Sequence, residues 1–309
     1  MQQGYAAVLG GINMDISGTP DTTAVPGASD PGRITLTPGG VGRNIAEDLV
    51  RLGCPVRMLT ALGGDDLSGQ LRERCRQAGI DLSLSPVFPE ERASTYLCLN
   101  DEKGELVGAV SDMRVVDRLT PEVVAPLLPR LEDARLLVLD ANLLAETLRY
   151  VAEHTTLPLF ADPVSVKKAG RLRGCLSRCT LIKPNRDEAA LLSGIPIRTD
   201  EDLPLAAGRL LELGVRQVII SLGARGCYWH DGTRDGILPC LPSPIVNTTG
   251  CGDSFLAACA VGFLEGRDLE GMARLGLAAS AVTAGHEAAV SPRLCRETLD
   301  RLLNTSIGG

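Results

Sequence analysis

The sequence has no apolar run that approaches the roughly 20 residues needed to cross a bilayer, and it has no cluster of basic residues. Acidic side chains outnumber basic ones, which gives a formal net charge of -7 at pH 7. A chain without a basic track does not follow a nucleic-acid backbone, so we expect neither nucleic acid nor a membrane as a partner. The N-terminus also lacks a basic start followed by a long apolar region, so we expect no secretion signal.

The ten cysteines lack the spacing of a metal site or of a redox pair. None stands in a Cys-x-x-Cys pair, and none lies at metal-ligand spacing from a histidine. Reduced thiols of this kind are typical of the cytoplasm, where we expect this protein. Cys251 differs from the others because it stands between two glycines before a helix, where we expect a reactive thiol.

Short apolar runs alternate with helical patterns, which predicts a mainly parallel sheet covered by helices on both faces. The expected strands are 6–9, 56–59, 136–140, 159–162, 181–183 and 218–221, and the expected helices include 41–52, 67–78 and 272–283. Because neither repeats nor low-complexity linkers interrupt this pattern, we expect one domain over residues 1–309. Ligands of such sheets bind at the carboxyl ends of the strands, where several polar residues follow here.

Two segments, at about 12–40 and 93–113, do not fit this alternation. Both are turn-rich and alternate apolar with polar residues, which predicts antiparallel strands outside the main sheet. Residues 101–104, Asp-Glu-Lys-Gly, are a candidate hairpin turn. The strands could form a lid over a site or a surface hairpin without a role.

Residues 247–258 read Asn-Thr-Thr-Gly-Cys-Gly-Asp-Ser-Phe-Leu-Ala-Ala and lead from a glycine-broken loop into an apolar helix. The first turn of a helix has free N–H groups, so the amides of Gly250, Cys251 and Gly252 can bind a phosphate. Asp253 would repel that phosphate, but it can accept the proton of a hydroxyl that is about to be phosphorylated. The motif indicates phosphoryl transfer to an alcohol, and a helix-capping role for Asp253 explains it equally well.

Four further motifs accompany this loop. Residues 10–15 read Gly-Gly-Ile-Asn-Met-Asp, 38–46 read Pro-Gly-Gly-Val-Gly-Arg-Asn-Ile-Ala, 185–188 read Asn-Arg-Asp-Glu, and 221–226 read Ser-Leu-Gly-Ala-Arg-Gly. In this order the five motifs resemble the ribokinase-like, or PfkB, family of carbohydrate and nucleoside kinases, over essentially the whole chain. The resemblance implies a three-layer α/β sandwich with a mainly parallel central sheet, a small antiparallel β lid, ATP and Mg²⁺ as cofactors, and a homodimer through the lid.

The same resemblance implies roles for individual residues. Asp253 is the implied catalytic base, beside the anion hole of residues 250–252. The implied substrate-binding residues are Asn13, Asp15, Gly39, Gly40, Asn44, Thr95 and Asp112. The implied nucleotide-binding residues are Asn185, Ser221, Gly223 and Gly226, and Asn185 with Glu188 is implied to hold Mg²⁺ through water. Asn13 and Asp15 also fit an Asx turn, Glu188 fits a capping box, and Arg225 fits a solvated cation.

Five stretches, 29–34, 37–46, 111–113, 162–165 and 183–186, resemble bacterial pseudouridine kinases in particular. This resemblance implies phosphorylation of the 5′-hydroxyl of pseudouridine. Pseudouridine has a ring N–H that uridine lacks, and Asp112 could accept a hydrogen bond from it. Alternatively, Asp112 is an acid that only stabilises a turn. A kinase of ribose or of another nucleoside stays open, as does an inactive sugar- or nucleoside-binding regulatory protein. A dinucleotide-dependent oxidoreductase is disfavoured because G-x-G-x-x-G spacing does not follow the first strand. Asn247 stands where the family often has an acid near a monovalent cation, which puts activation by K⁺ in doubt.

Overall fold

The computed structural model describes residues 4–24 and 27–307, with side chains to residue 304 at the C-terminal end. The strands in this part are β1 (Ala6–Leu9), β2 (Asn13–Pro20), β3 (Gly32–Gly39), β4 (Val56–Leu59), β5 (Leu62–Gly63), β6 (Ile80–Asp81), β7 (Val87–Phe88), β8 (Thr95–Asn100), β9 (Leu106–Asp112), β10 (Leu136–Asp140), β11 (Leu159–Asp162), β12 (Cys179–Ile182), β13 (Gln217–Ser221), β14 (Cys227–His230) and β15 (Asp235–Leu238). The helices are α1 (Val41–Arg51), α2 (Asp66–Gln77), α3 (Arg114–Asp117), α4 (Pro121–Val124), α5 (Ala145–His154), α6 (Val166–Ala169), α7 (Arg186–Ser193), α8 (Leu203–Glu212), α9 (Cys251–Leu264), α10 (Leu269–Ala284) and α11 (Arg296–Ile307).

The main sheet has the strand order β15-β14-β13-β12-β11-β10-β1-β4-β6. Strands β6 to β13 run parallel along this order, and β14 and β15 add an antiparallel edge. Successive residues of β1 point to opposite faces: Ala6 and Val8 join one buried cluster, and Ala7 and Leu9 join another. One cluster includes α1, α9 and α10, whereas the other includes α5, α7 and α8. The predicted three-layer α/β sandwich is confirmed.

The predicted bounds of strands and helices differ from the observed ones by a few residues. Helices α1 and α2 end just before Gly53 and Gly79, whose φ angles of 85° and 82° take the chain out of the helix. Helix α10 begins three residues earlier than predicted because the Asp268 side chain caps it, accepting from the Gly271 N–H at 3.0 Å. Strand β12 ends at Ile182, so Lys183 follows the strand and does not lie within it.

A second, four-stranded sheet has the order β3-β2-β8-β9 and is formed by the two segments predicted as lid strands. The pairs β2–β3 and β8–β9 are antiparallel, and β2 and β8 join them as a parallel central pair. The predicted turn after β8 is confirmed: the Asp101 N–H donates to the Glu105 carbonyl at 2.8 Å, and Gly104 has a φ of 86°. We call these four strands the lid.

One face of the lid carries exposed apolar side chains. Leu36, Leu97 and Val110 share one row across the strands, since they pair directly or through Ile16. Ile34 and Leu99 follow in the next row, and these two are 71% and 59% exposed. A contiguous apolar face of this kind is typical of a surface that packs against a partner. Elsewhere, none of the described helices combines the length and apolar character needed to span a membrane.

Candidate active site

Helix α9 begins at the glycine loop that the sequence indicated as an anion hole. Gly250 is its N-cap with a φ of 82°, and a side chain there would overlap the Ala289 carbonyl. The N–H groups of Gly250 and Gly252 donate to no described residue, so both remain available to an anion. The N–H of Cys251 donates to the Thr248 carbonyl at 3.3 Å. Of the three backbone amides expected to bind an anion, two are therefore free of other hydrogen bonds.

Asp253 lies in the first turn of α9 and is buried, with 8% of its surface exposed. Its Oδ2 accepts a hydrogen bond of 2.8 Å from Asn44 Nδ2. It does not cap the helix, because Gly250 holds that position without a side-chain bond. Burial raises the pKa of Asp253 to about 7, with a further contribution from Asp162 and opposition from Asn44 and Lys183. This pKa suits a group that accepts a proton near neutral pH.

Lys183 is a site residue that the sequence reasoning did not single out. Its side chain is almost fully buried after β12, and Nζ lies 3.3 Å from Asp162 Oδ2. A Cβ built on Gly252 would lie 3.3 Å from the same Nζ, so the ammonium reaches the anion hole. Burial alone lowers the pKa of Lys183, but the charges of Asp162, Glu188 and Asp253 raise it above its ordinary value. The available signal was a lysine directly after a buried strand, within Lys-Pro-Asn.

Asp162 is held at the end of β11 by a strained turn. Its Oδ1 accepts from the Val164 N–H at 2.7 Å, while Oδ2 pairs with Lys183. Val164 has a φ of 66°, a left-handed conformation that a β-branched residue rarely adopts. Such strain persists where the surroundings over-determine the backbone, often at functional sites. Here it accompanies the orientation of Asp162 towards the buried ammonium.

Asp140 connects the end of β10 to both glycine loops near the lid. Its Oδ2 accepts from the Gly11 N–H at 2.9 Å and from the Gly42 N–H at 2.8 Å. Its Oδ1 accepts from the Asn142 N–H at 2.9 Å. Burial nevertheless raises the pKa of Asp140 above its ordinary value. The carboxyl fixes the two loops relative to each other.

The structure brings together four of the implied substrate-binding residues, Asn13, Asp15, Gly39 and Gly40. Asn13 Nδ2 donates to Asp15 Oδ1 at 2.5 Å, and both residues lie within β2, which is a strand and not an Asx turn. A side chain at Gly39 would overlap the Asp15 carboxylate. Gly40 has a φ of 99°, and a Cβ there would lie 2.6 Å from the Gly11 carbonyl oxygen. Burial raises the pKa of Asp15, with some opposition from Asn13.

Asn44 lies in the first turn of α1 and takes a different position from the one expected. Its side chain bonds Asp253 and Arg43, and it makes no bond to Asn13 or Asp15. Asn44, which the resemblance implies to be a substrate-binding residue, is thus a hydrogen-bond partner of the candidate base.

Thr95 and Asp112 face each other across β8 and β9. Asp112 is partly exposed and pairs with Arg114 at 2.5 Å, and this hydrogen bond holds the pKa of the carboxyl below its ordinary value. A polar cavity of about 430 Å³ next to it is lined by Asp112, Asn142 and Lys168, among others. Lys168 Nζ donates to Asn142 Oδ1 at 2.6 Å. Asp112 therefore lies at the wall of a cavity, already paired with a cation.

Asn185 and Glu188 form a capping box at the start of α7. Asn185 Oδ1 accepts from the Glu188 N–H and Glu188 Oε2 accepts from the Asn185 N–H, both at 2.9 Å. The capping alternative is therefore observed, although at a buried helix end: Glu188 is only 5% exposed. Its Oε1 takes no hydrogen bond from the described residues. Among residues 4–24 and 27–307, no group of three or more His, Cys, Asp or Glu side chains could hold a metal ion.

Three of the four predicted nucleotide-binding residues line one cavity of about 530 Å³ together with Cys251 and Gly252, whereas Asn185 is not part of its lining. Ser221, Gly223 and Gly226 contribute to its lining from the end of β13 and the turn that follows, and Gly252 contributes from the start of α9. The small or apolar residues of α10 that line it are Leu277, Ser280, Ala281 and Ala284. Arg225 is directed away, since it pairs with Asp200 at 2.7 Å on the surface. The cavity has the size and apolar wall of a small-molecule site.

The surroundings of Cys251 oppose the low thiol pKa on which the expected reactivity depends. Its Sγ donates to the Ser280 carbonyl at 3.6 Å. Burial raises the pKa of Cys251 to about 11, and the Asp253 carboxylate contributes to the increase. Loss of solvent and a neighbouring carboxylate outweigh the helix N-terminus, which favours a thiolate.

Asn247 holds the loop before α9 with both ends of its amide. Oδ1 accepts from the Thr249 N–H at 2.9 Å, and Nδ2 donates to the Glu287 carbonyl at 2.7 Å. The oxygen expected near a monovalent cation is thus engaged with the backbone.

Comparisons with known proteins agree with this geometry. The sequence profile described as pfkB family carbohydrate kinase matches residues 3–294. A pseudouridine kinase of Escherichia coli (strain K12) is 31% identical over 295 residues, which cover 95% of this chain and 94% of that protein. An uncharacterized sugar kinase of the same organism is 33% identical over 295 residues, covering 95% and 82%. The crystal structure of a putative sugar kinase from Clostridium perfringens superposes with a TM-score of 0.88 at 30% identity, covering 99% and 97%.

Proposed function

This chain belongs to the pfkB family of carbohydrate kinases, and we propose that it transfers the γ-phosphoryl group of ATP to the 5′-hydroxyl of pseudouridine. The observation that carries the proposal is the position of Asp253. Its buried carboxyl accepts a hydrogen bond from Asn44 and lies in the same helix turn as the free amide of Gly252. A base and an anion hole side by side are what phosphoryl transfer to an alcohol requires.

In the proposed reaction, Asp253 orients the 5′-hydroxyl and accepts its proton. Lys183 and the amides of Gly250 and Gly252 balance the charge of the transferred phosphoryl group. Asn13 and Asp15 bind the ribose hydroxyls, with Gly39 and Gly40 leaving room for the sugar. The new bond joins the 5′-oxygen to the γ-phosphorus, the bond from the γ-phosphorus to the bridging β-phosphate oxygen breaks, and ADP leaves with that oxygen. The proton stays on Asp253 until it is released to solvent.

ATP fits the cavity of about 530 Å³ between Ser221, Gly223 and the apolar residues of α10. Glu188 is close enough for its charge to act on Lys183, which lines this cavity, and its Oε1 takes no hydrogen bond from the described residues. This oxygen suits Mg²⁺ that retains most of its water ligands. When bound, Mg²⁺ supplies charge neutralisation at the phosphates. The crystal structure of a putative ribokinase from Escherichia coli contains ATP and Mg²⁺, which supports this choice of cofactors.

Pseudouridine is favoured as the substrate by the similar pseudouridine kinase of Escherichia coli. The polar cavity beside Asp112 offers acceptors and a lysine for a uracil ring. We propose that Asp112 accepts the ring N–H that uridine lacks, which requires Arg114 to release it. A missing partner for such a group costs roughly one to two decades in kcat/KM.

An ATP-consumption screen over pseudouridine, uridine, other nucleosides and ribose tests the substrate. The expected result is a higher kcat/KM for pseudouridine than for uridine, and a smaller gap in Asp112→Ala. Equal values in the wild type reject pseudouridine, and a preference for ribose supports the sugar kinase suggested by the second relative. An unchanged gap in the variant rejects only the role of Asp112.

The variant Asp253→Asn tests the base. It should lower kcat by a factor on the order of 10²–10⁴ while substrate binding is retained. Asp66→Asn, an exposed carboxyl in the first turn of α2, is the matched control and should keep the wild-type rate. A near-normal kcat in Asp253→Asn rejects Asp253 as the base, and a wild-type protein that phosphorylates none of the substrates in the screen rejects an active kinase.

We further propose one kinase domain over residues 1–309, assembled as a cytoplasmic homodimer through the apolar face of the lid. The exposed Ile34 and Leu99 support the dimer, and ten free thiols support a reducing compartment. Leu99→Ser should convert the dimer to a monomer in light scattering. Leu205→Ser, at an equally exposed leucine of α8 outside the lid, is the control. A wild-type monomer rejects the dimer.

A further inference from the structure

Helix α1 buries polar side chains on the turn that faces the candidate base. Arg43, Asn44 and Glu47 are 6%, 5% and 7% exposed. Buried charges of this kind are costly unless they are paired and hydrogen-bonded. Their contacts therefore indicate what they do.

The guanidinium of Arg43 lies at the centre of this group. Nη1 donates to Asn44 Oδ1 at 2.8 Å and to the Pro38 carbonyl at 3.0 Å. Nη2 pairs with Glu47 Oε2. Glu47 Oε1 in turn accepts from Arg51 Nη2 at 2.7 Å, so Glu47 is held from both sides. Arg43 is thus fixed in one orientation by a carboxylate that is itself fixed.

The bond from Arg43 determines which way the Asn44 amide points. A guanidinium only donates, so the atom it contacts is the amide oxygen. The other end of the amide, Nδ2, then points to Asp253 Oδ2, at 2.8 Å. Without Arg43 the amide could turn over, and the oxygen would face the carboxylate and repel it. Arg43 thereby keeps a donor directed at Asp253.

The same guanidinium also contacts the root of the lid. Pro38 is the next-to-last residue of β3, which ends at Gly39 before the helix begins. Nη1 therefore donates both to the end of lid strand β3 and to the side-chain amide that contacts the candidate base. A shift of this strand would change the position of the guanidinium.

We propose that Arg43, held by Glu47, is a positioning residue that fixes the orientation of Asp253 through Asn44 and connects it to the root of the lid. The proposal rests on the proposed function, in which Asp253 is the base. Arg43 itself does not need to contact either substrate in this role. The assignment applies to two residues of α1 that the kinase motifs leave without a role.

Arg43→Lys and Glu47→Gln test this role. Each should lower kcat by about tenfold, the effect of a lost hydrogen bond to a charged group, with KM for ATP unchanged. The acidic limb of kcat/KM should move to higher pH by about half a unit or more, because Asp253 loses the donor that favours its ionised form. A solely structural role would lower stability and leave that limb in place. Arg76→Lys makes the same substitution in an exposed arginine–glutamate pair of α2 and is the control.

A double-mutant comparison separates the route through Asn44 from a direct effect. If Arg43 acts through Asn44, Arg43→Lys should change kcat and the acidic limb much less when Asn44→Ala is already present. Additive losses would overturn the proposal, as would a wild-type limb in both Arg43→Lys and Glu47→Gln. If Arg43→Lys does not fold, Glu47→Gln alone decides, since it keeps the size of the side chain.

The variant Asp253→Asn separates this proposal from the proposed function. Full activity in Asp253→Asn would reject Asp253 as the base, and the positioning role would be rejected with it. An inactive Asp253→Asn together with a wild-type limb in Glu47→Gln would reject only the role of Arg43 and Glu47.

Discussion

The ammonium of Lys183 lies 3.3 Å from a carboxylate oxygen of Asp162, and both side chains are almost fully buried. Lys183 is the member of this pair that lies next to the anion hole, because a Cβ on Gly252 would lie 3.3 Å from its Nζ. The pair thus places one positive charge, oriented by a carboxylate, next to the free amides at the start of α9. Such a charge acts strongly in a site with little water.

Lys183→Met should lower kcat by a factor on the order of 10²–10³, as expected when one charged donor is removed from a developing anion. KM for the nucleoside should change less, because Asn13 and Asp15, the residues proposed to bind the sugar, lie on β2. Steady-state kinetics with both substrates varied give the two parameters. Lys103→Met, at an exposed turn of the lid, is the control. A wild-type kcat in Lys183→Met would remove this ammonium from the reaction.

The dependence of kcat/KM on pH should show an acidic limb near the pKa of Asp253. Burial raises this pKa to about 7 in the free protein, and kcat/KM reports the free enzyme. Only the ionised carboxylate accepts a proton, so activity should rise as pH increases through about 7. Rates measured from mildly acidic to mildly basic pH test this. In Asp253→Asn the residual activity should lose the limb, and a limb that persists would belong to another group.

Asp48 should make the protein less stable as pH rises. This carboxyl is fully buried in α1, and neither oxygen has a hydrogen-bond partner among the described residues. Burial raises the pKa of Asp48 well above 3.8, and Asp253 and Glu47 raise it further. At a pH above the unfolded-state pKa of 3.8 and below the raised pKa of the folded state, the folded protein keeps a proton that the unfolded chain releases. The free energy of unfolding therefore falls with increasing pH, by about 1.4 kcal/mol per pH unit for this group.

Asp48→Asn removes this contribution, so the variant should gain stability relative to the wild type between about pH 5 and about pH 7. Urea unfolding at both pH values gives the difference in the free energy of unfolding. Asp66→Asn, exposed in α2, should show no such gain. A difference between Asp48→Asn and the wild type that is the same at both pH values would contradict the buried proton.

Cys295 should react with alkylating reagents before Cys251. A hydrogen bond with Thr298, 3.1 Å from Sγ, lowers the pKa of Cys295, which is partly exposed before α11. Burial raises the pKa of Cys251 to about 11, and the thiolate is the reactive form. Peptide mass spectrometry during brief iodoacetamide treatment near neutral pH gives the order. Cys295→Ser should remove the first label, and early labelling of Cys251 would contradict the expected order.

The strand and helix pattern was predictable because it depends on neighbours along the chain. Apolar runs and the glycines at 53 and 79 are enough to place α1 and α2 within a residue or two. These bounds rest on local backbone preferences. The grouping of Asn13 and Asp15 with Gly39 and Gly40 was implied by the family resemblance alone, and the pairing of β2 with β3 places Asn13 opposite Gly39.

The electrostatic arrangement was not predictable in the same way. The position of Lys183 beside Gly252 depends on how β12 and α9 pack, over a separation of about seventy residues along the sequence. The thiol of Cys251 shows the same limit, because a helix N-terminus and burial shift its pKa in opposite directions and only the fold decides their balance. Arg43 and Glu47 were visible as charged residues four apart in an amphipathic helix, but their burial and their other partners were not.

The carboxyl of Asp140 has a mechanical consequence for the lid. It holds the amides of Gly11 and Gly42, which flank the points where β2 leaves the main sheet and β3 returns to it. The chain is therefore anchored on both sides of the β2–β3 pair by one side chain of the main sheet, whereas β8 and β9 enter the lid from another part of the chain. A displacement of β2 and β3 relative to the main sheet has to occur beyond these two anchors, around residues 12 and 40. Asp15 lies on the lid side of the anchors and Asp253 lies on α9, so the distance between these two carboxyls would report such a displacement.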